Sequence, residues 1–170
     1  MKAIITPEEY RAIYDMLDKV SPVPFDCGTI CGAICCQNPD DDEEMGLYLL
    51  PGEEAIHDRE SEPFTWAVQN TEEYDFPESW EGDVYFVGCK GPHTCIRAVR
   101  PIQCRTFPLK PILDKAGDLQ LILNDEDLPY RCPMIEDRVE LLPEFIRATY
   151  AAWKILTKDE RIRDLVTVLS

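Results

Sequence analysis

Residues 27–36 read Cys27-Gly28-Thr29-Ile30-Cys31-Gly32-Ala33-Ile34-Cys35-Cys36, four cysteines in ten positions with a Cys-Gly-x-Ile unit repeated once. The remaining cysteines fall in a second group, Cys89, Cys95 and Cys104, and at Cys132. Short chelating loops separated by a long gap are how a chain brings thiolates from two places onto one metal ion or cluster. A four-residue step would align Cys27, Cys31 and Cys35 on one helix face. The two glycines argue equally for a wound loop, because each costs a helix about 1 kcal/mol. Either form converges three sulfurs. Adjacent side chains diverge, so Cys36 is less secure than its neighbours as a ligand, the alternatives being another metal, a hydrogen bond or filling the core. Burial as small hydrophobes accounts poorly for four cysteines so close together.

Outward from this block, the chain has the size of one compact body. Its 170 residues are 45% hydrophobic, enough for a core that needs no disulfide staples. We expect a small single α+β domain over residues 1–170, with N- and C-terminal helices around a short, irregular β portion organised by a cysteine metal site. The cysteine core runs from about 25 to 132 and a helical part from about 136 to 170. The N-terminus carries no apolar run suited to a signal segment, and no stretch approaches the ~18 apolar residues of a membrane span. A cytoplasmic location follows as the expectation, and in a reducing compartment clustered cysteines serve metals or redox chemistry more often than structural disulfides.

The net charge of -16, from 33 acidic and 17 basic side chains, disfavours nucleic acid and anionic membrane surfaces as partners. The acid is uneven. Asp40 to Glu44 form a run after the first block, whereas Lys90 to Lys110 contain no acid but carry Lys90, Arg97, Arg100, Arg105 and Lys110. Cations beside thiols favour the deprotonated sulfur that binds metal. Arg100 and Arg105 are therefore the candidates for contacting a cofactor, although fixing an irregular loop is an equally good use for them.

Secondary structure can be placed coarsely. Thr6-Pro7-Glu8-Glu9 is a capping box with proline at the first helical position, and Ile13, Met16, Leu17 and Val20 continue at helical spacing until Pro22 and Pro24. Leu47 to Leu50, Phe64 to Val68, Val84 to Val87 and Leu119 to Leu123 are expected strands. Leu141, Leu142, Phe145, Ile146, Tyr150 and Trp153 form a helical stripe, and Thr157-Lys158-Asp159-Glu160 is a second capping box before Ile162, Leu165, Val166 and Leu169. Thr94 is expected to cap a turn carrying Cys95, Arg97 and Arg100, which Pro101 ends. Cys104 would then lie on an extended stretch.

The second cysteine block reads Cys95-Ile-Arg-Ala-Val-Arg100-Pro101-Ile-Gln-Cys104-Arg105-Thr-Phe107-Pro108, preceded by Cys89. It resembles the YkgJ-type family of small proteins described as putative zinc- or iron-chelating domains. Their pattern is a CxxCxxCC block followed by a further cysteine and a segment C-x-x-x-x-R-P-x-x-C-R-x-F-P. The second segment agrees at each specified position, while the first block has the spacing CxxxCxxxCC, one residue more in each gap. The similarity extends from about Cys27 to Leu109 and implies a metal-chelating role. A flagellin lysine methylase is similar to this family in its cysteine segment, which keeps an iron-sulfur modification enzyme among the alternatives.

The candidate metal ligands are therefore Cys27, Cys31, Cys35, Cys36, Cys89, Cys95, Cys104 and Cys132, with His93 as a lesser candidate between them. His57, in an acidic loop, is expected to be solvated. Thiolates suit zinc or an iron-sulfur cluster and exclude hard cations such as calcium. No HExxH, Walker, GxGxxG or GxSxG motif is present, so the reading leans away from an enzyme. It favours a cysteine-ligated metal-binding protein. The alternatives are an iron-sulfur-dependent redox or modification enzyme and a metal-free protein of thiol and disulfide exchange.

Overall fold

A computed structural model describes residues 4–37, 45–60 and 63–170, and the acidic run Asp40 to Glu44 lies outside them. The first helix, α1 (Pro7–Asp18), starts as its sequence dictates: the Glu9 N–H donates to Thr6 Oγ1 at 3.2 Å, and the Thr6 N–H donates to the Glu9 carboxylate at 2.9 Å. Such a cap contributes about 1 kcal/mol. Tyr10, Ile13, Tyr14 and Leu17 are buried at i, i+3, i+4 and i+7. The helix ends at Asp18, with Lys19 as its cap and Val20 already outside it.

Two short helical pieces follow in the cysteine region, α2 (Gly28–Cys31) and, much later, α3 (Ile102–Thr106). Between them lies an antiparallel sheet of β1 (Gly46–Tyr48), β2 (Phe64–Asn70) and β3 (Asp83–Cys89), with β3 central. Trp66 opposes Val87 in the β2–β3 ladder, and Gly46 opposes Gly88 in the β1–β3 ladder. Gly46 is required there, since a Cβ would lie 2.3 Å from the Val87 carbonyl oxygen. A separate hairpin pairs β4 (Leu109–Leu113) with β5 (Leu119–Leu123). Its turn is organised by Asp114, whose Oδ1 accepts from the Ala116 and Asp118 N–H groups, both at 2.9 Å.

The chain closes with α4 (Pro133–Glu136), α5 (Pro143–Leu156) and α6 (Glu160–Leu169). Helices α1, α5 and α6 share one core around Tyr10, Ile13, Leu17, Trp153, Leu156, Ile162 and Val166. Each such large side chain contributes roughly 1.5–3 kcal/mol by leaving water. The architecture is a small α+β domain, and among the described residues no helix is long and apolar enough to cross a membrane.

Several expectations need correction. The buried face of α5 is Phe145, Thr149, Ala152, Trp153 and Leu156, while Ile146 and Tyr150 are exposed. The expected stripe mixed two faces because apolar residues occur on both. Thr157 does not cap α6. Its hydroxyl donates back to the Trp153 carbonyl at 2.8 Å, and Asp159 is the N-cap, accepting from the Arg161 N–H at 3.0 Å. Asp159 also accepts from the Ile5 N–H at 3.4 Å, a link across the chain that a local motif cannot reveal. Strand β4 was not expected, because its prolines read as loop signals. Proline is tolerated in this two-stranded ribbon, where a strand has one unpaired edge.

Candidate metal centre

The first cysteine block is neither one helix nor a simple loop. Asp26 opens it: its side chain accepts from the Gly28 N–H at 3.1 Å and its carbonyl accepts from the Thr29 hydroxyl at 2.8 Å. Helix α2 stops at Gly32, which has φ 67°, and Ala33 follows at φ 54°. Two consecutive left-handed residues reverse the chain, and residues Ile34–Cys36 then make a 3-10 turn. The reversal is tight, since a Cβ on Gly28 would lie 3.3 Å from that of Ala33. An alanine in the left-handed region is a local strain of order 1 kcal/mol. The outcome sets Cys35 Sγ and Cys36 Sγ 3.8 Å apart.

The second block departs from β3 at Cys89. Thr94 caps no helix, because its hydroxyl donates to the Gly91 carbonyl at 3.1 Å. A 3-10 turn covers only Arg97–Val99, so Cys95 and Arg100 flank it rather than belong to it. Pro101 begins a helix instead of ending one, and Cys104 lies inside α3, not on an extended stretch. The reason is positional: proline suits the start of a helix as well as its end, and the Ile102 N–H exposed there finds a partner from elsewhere in the chain.

That partner is Glu53, which sequence reasoning did not single out. Its side chain is fully buried, and Oε1 accepts from the Ile102 N–H at 2.8 Å and from the Tyr14 hydroxyl at 2.5 Å, while Oε2 accepts from the Leu50 N–H at 3.0 Å. Burial raises the Glu53 carboxyl above its ordinary range, against the lowering effect of those hydrogen bonds. His57 Nε2 lies 2.9 Å from the same Tyr14 hydroxyl. With the Tyr14 hydroxyl donating to an ionised Glu53, the imidazole serves as donor from Nε2; with Glu53 protonated, the Tyr14 hydroxyl is free to donate to Nε2 instead. Far from solvated, His57 is half-buried, and desolvation followed by the nearby Arg105 lowers it to about 4.

Arg105 fixes the loop that carries Arg100. Its Nε donates to the Arg100 carbonyl at 2.6 Å, Nη2 to the Arg97 and Ala98 carbonyls at 2.8 and 2.9 Å, and Nη1 to Asp18. The guanidinium also lies 4.1 Å over the Tyr14 ring. Arg97 donates to the Leu17 carbonyl at 3.0 Å and to the Val20 carbonyl, placing a cation at the carbonyl end of α1, where the helix dipole favours it. Arg100 is used differently. It faces sulfur, lowering Cys27, Cys36 and Cys95 against the opposing effect of burial, with a hydrogen bond to Cys95.

The thiols form one electrostatic neighbourhood. Cys27 is raised first by burial, and Asp26, Cys31 and Cys132 add to it. Cys35 is raised by its hydrogen bond to Cys36, then by burial, with Cys104 and Cys27 contributing. The same bond lowers Cys36 to about 7. Cys104 is raised by crowding of protein atoms, then by Cys89, Cys36 and Cys95. It still reaches solvent, because it lines a recess of about 390 Å³ that is also lined by Cys27 and Arg100. Tyr130, which the sequence did not flag, is raised by burial and then by Cys35, Cys132, Cys104 and Cys36. Cys132 itself is buried against Val23 and Met134. None of the eight cysteines is in a disulfide. His93 is on an exposed loop.

The donor set fits a soft metal in kind, with thiols from three segments and a cation opposing their charge. It is not drawn into a ligating arrangement: among the described residues no three His, Cys, Asp or Glu side chains form a metal-holding group. Compared with family models, with curated proteins and with solved structures, the chain gives no match.

Proposed function

We propose that the protein binds an iron-sulfur cluster or zinc through cysteine thiolates drawn from Cys27, Cys31, Cys35, Cys36, Cys89, Cys95, Cys104 and Cys132, and that this centre organises the irregular middle of the fold. The observation that carries the reading is the convergence of thiols from distant segments: Cys27 packs with Cys132, Cys27 and Cys104 line one recess, and Cys35 and Cys36 approach to 3.8 Å. Grouping so many partly covered ionisable sulfurs is unfavourable once they ionise unless something neutralises their charge, and a metal does so while adding binding energy to folding. A bound cluster would supply one-electron chemistry, whereas zinc would supply structure or a Lewis acid. Arg100 offsets thiolate charge, and Arg105 holds the loop that presents Arg100.

The decisive measurement is iron, zinc and acid-labile sulfide per chain, with a visible spectrum, on protein purified without oxygen. Iron with matching sulfide makes this a cluster protein, and zinc without sulfide makes it a structural or chelating module. Neither metal overturns the reading.

A second reading has one observation in its favour. The 3.8 Å approach of Cys35 and Cys36, whose shared hydrogen bond favours one thiolate in the pair, suits thiol and disulfide exchange without metal. Rapid alkylation of Cys35 or Cys36 in protein purified without chelator would support it, and protection would oppose it.

A further inference from the structure

We propose that the recess beside Cys27 and Cys104 binds a small organic monocarboxylate with an apolar body. Its volume of about 390 Å³ falls in the range of small-molecule sites. Its lining comes from two segments, one carrying Pro22, Pro24 and Phe25 and the other Phe107 and the arginines of the second cysteine block. The Phe25 ring stands half exposed at 51%, an apolar surface that a guest would cover.

The polar side of the recess sets the sign and number of charges. Arg105 is consumed by three carbonyls and by Asp18, and Arg97 by two carbonyls and the same Asp18. Arg100 has no carboxylate partner among the described residues, and its contacts are to sulfur. It is the surplus cation of the wall, and a guanidinium fork matches a planar carboxylate. Asp26, also in the lining, opposes a second negative charge on the guest. A monocarboxylate satisfies Arg100 without confronting Asp26, and an aromatic or aliphatic body fills the space between Phe25 and Phe107. The guest would lie beside Cys27 and Cys104, which line the same recess. The site goes beyond the metal reading and does not depend on it.

The test is titration with benzoate, and with benzyl alcohol as its neutral counterpart, followed by saturation-transfer NMR on metal-replete and metal-free protein. Benzoate should bind saturably and about tenfold more tightly than the alcohol, as one charge-assisted hydrogen bond implies. Arg100→Gln should remove that difference. Phe25→Ala should weaken both probes several-fold while metal content stays as in the parent. Equal binding of the two probes, unchanged benzoate affinity in Phe25→Ala, or no saturable binding overturns the proposal. Should Arg100→Gln lose metal, its metal-free titration and Phe25→Ala decide the matter. Metal without benzoate binding refutes this inference alone, and benzoate binding without metal refutes only the reading above.

Discussion

Replacing Arg105 by lysine keeps the charge and removes the fork. The side chain is 3% exposed, so water cannot readily take over contacts that the new residue fails to make. Arginine here satisfies the carbonyls of Arg97, Ala98 and Arg100 and the carboxylate of Asp18 from three nitrogen atoms pointing in different directions. An ammonium is a single point that keeps Asp18 and at most one carbonyl. Two hydrogen bonds from a charged donor are then lost, each worth about 1.5–3 kcal/mol, and the stack on Tyr14 is weakened. We expect Arg105→Lys to lower stability by roughly 3–5 kcal/mol, a large share of the 5–15 typical of a domain, and to lower Tm by about 6–20 °C. Urea unfolding followed by fluorescence measures this directly, with the slope against denaturant unchanged if only the native state is affected. A loss below about 1 kcal/mol would refute the assignment of Arg105 as the organiser of the loop.

Three further outcomes are expected. Cys31→Ser and Cys104→Ser should each reduce metal per chain and lower Tm together, because metal binding and folding are coupled; full occupancy in both variants would break the two-block assignment. His57 has a folded value of about 4 against 6.5 unfolded, so the unfolded chain binds the extra proton. Its contribution is complete above pH 6.5 and is lost as pH falls through the window to 4, by about 1–2 kcal/mol once partial solvent contact is allowed for. His57→Gln should flatten the urea midpoint across that window relative to the parent, and parallel curves would contradict the assignment. Gly46→Ala should cost about 1–3 kcal/mol, because the new methyl meets a backbone carbonyl that cannot turn away. Hydrogen exchange should show faster opening of β1 and β3, and unchanged protection would be inconsistent with the ladder.

Local signals were legible where local physics decides. The capping box at Thr6 and Glu9 specified the start of α1, and Leu119–Leu123 was readable as a strand from composition alone. The grouping of the cysteines pointed to the segments that line the recess holding Cys27 and Cys104, and the charge pattern of the second block drew attention to Arg100 and Arg105. What the sequence could not disclose was the support beneath them. Glu53 belongs to one more Glu-Glu pair in an acidic chain, and only its burial against Ile102, Leu50 and Tyr14 distinguishes it. Asp18 likewise reads as a solvated helix residue until Arg105 reaches it across 87 positions. Turn directions were lost for a related reason: Pro101 is compatible with the end of one turn or the start of the next, and the choice was made by a hydrogen-bond acceptor far away in sequence.

The arrival of Cys132 beside Cys27 has a consequence for biosynthesis. Contacts of such long range form late, after the cost of closing the intervening loop has been met. A chain emerging from the ribosome therefore presents seven thiols before the eighth is available, and Val23 and Met134, which bury Cys132, cannot meet until then. During that interval the sulfurs are open to mispairing and to adventitious metal. The helices that close the domain, α5 and α6, come later still. Under the proposed metal reading, the full set of candidate ligands exists only once Cys132 has been made, and until then the seven earlier sulfurs lack the segment that packs over Cys27.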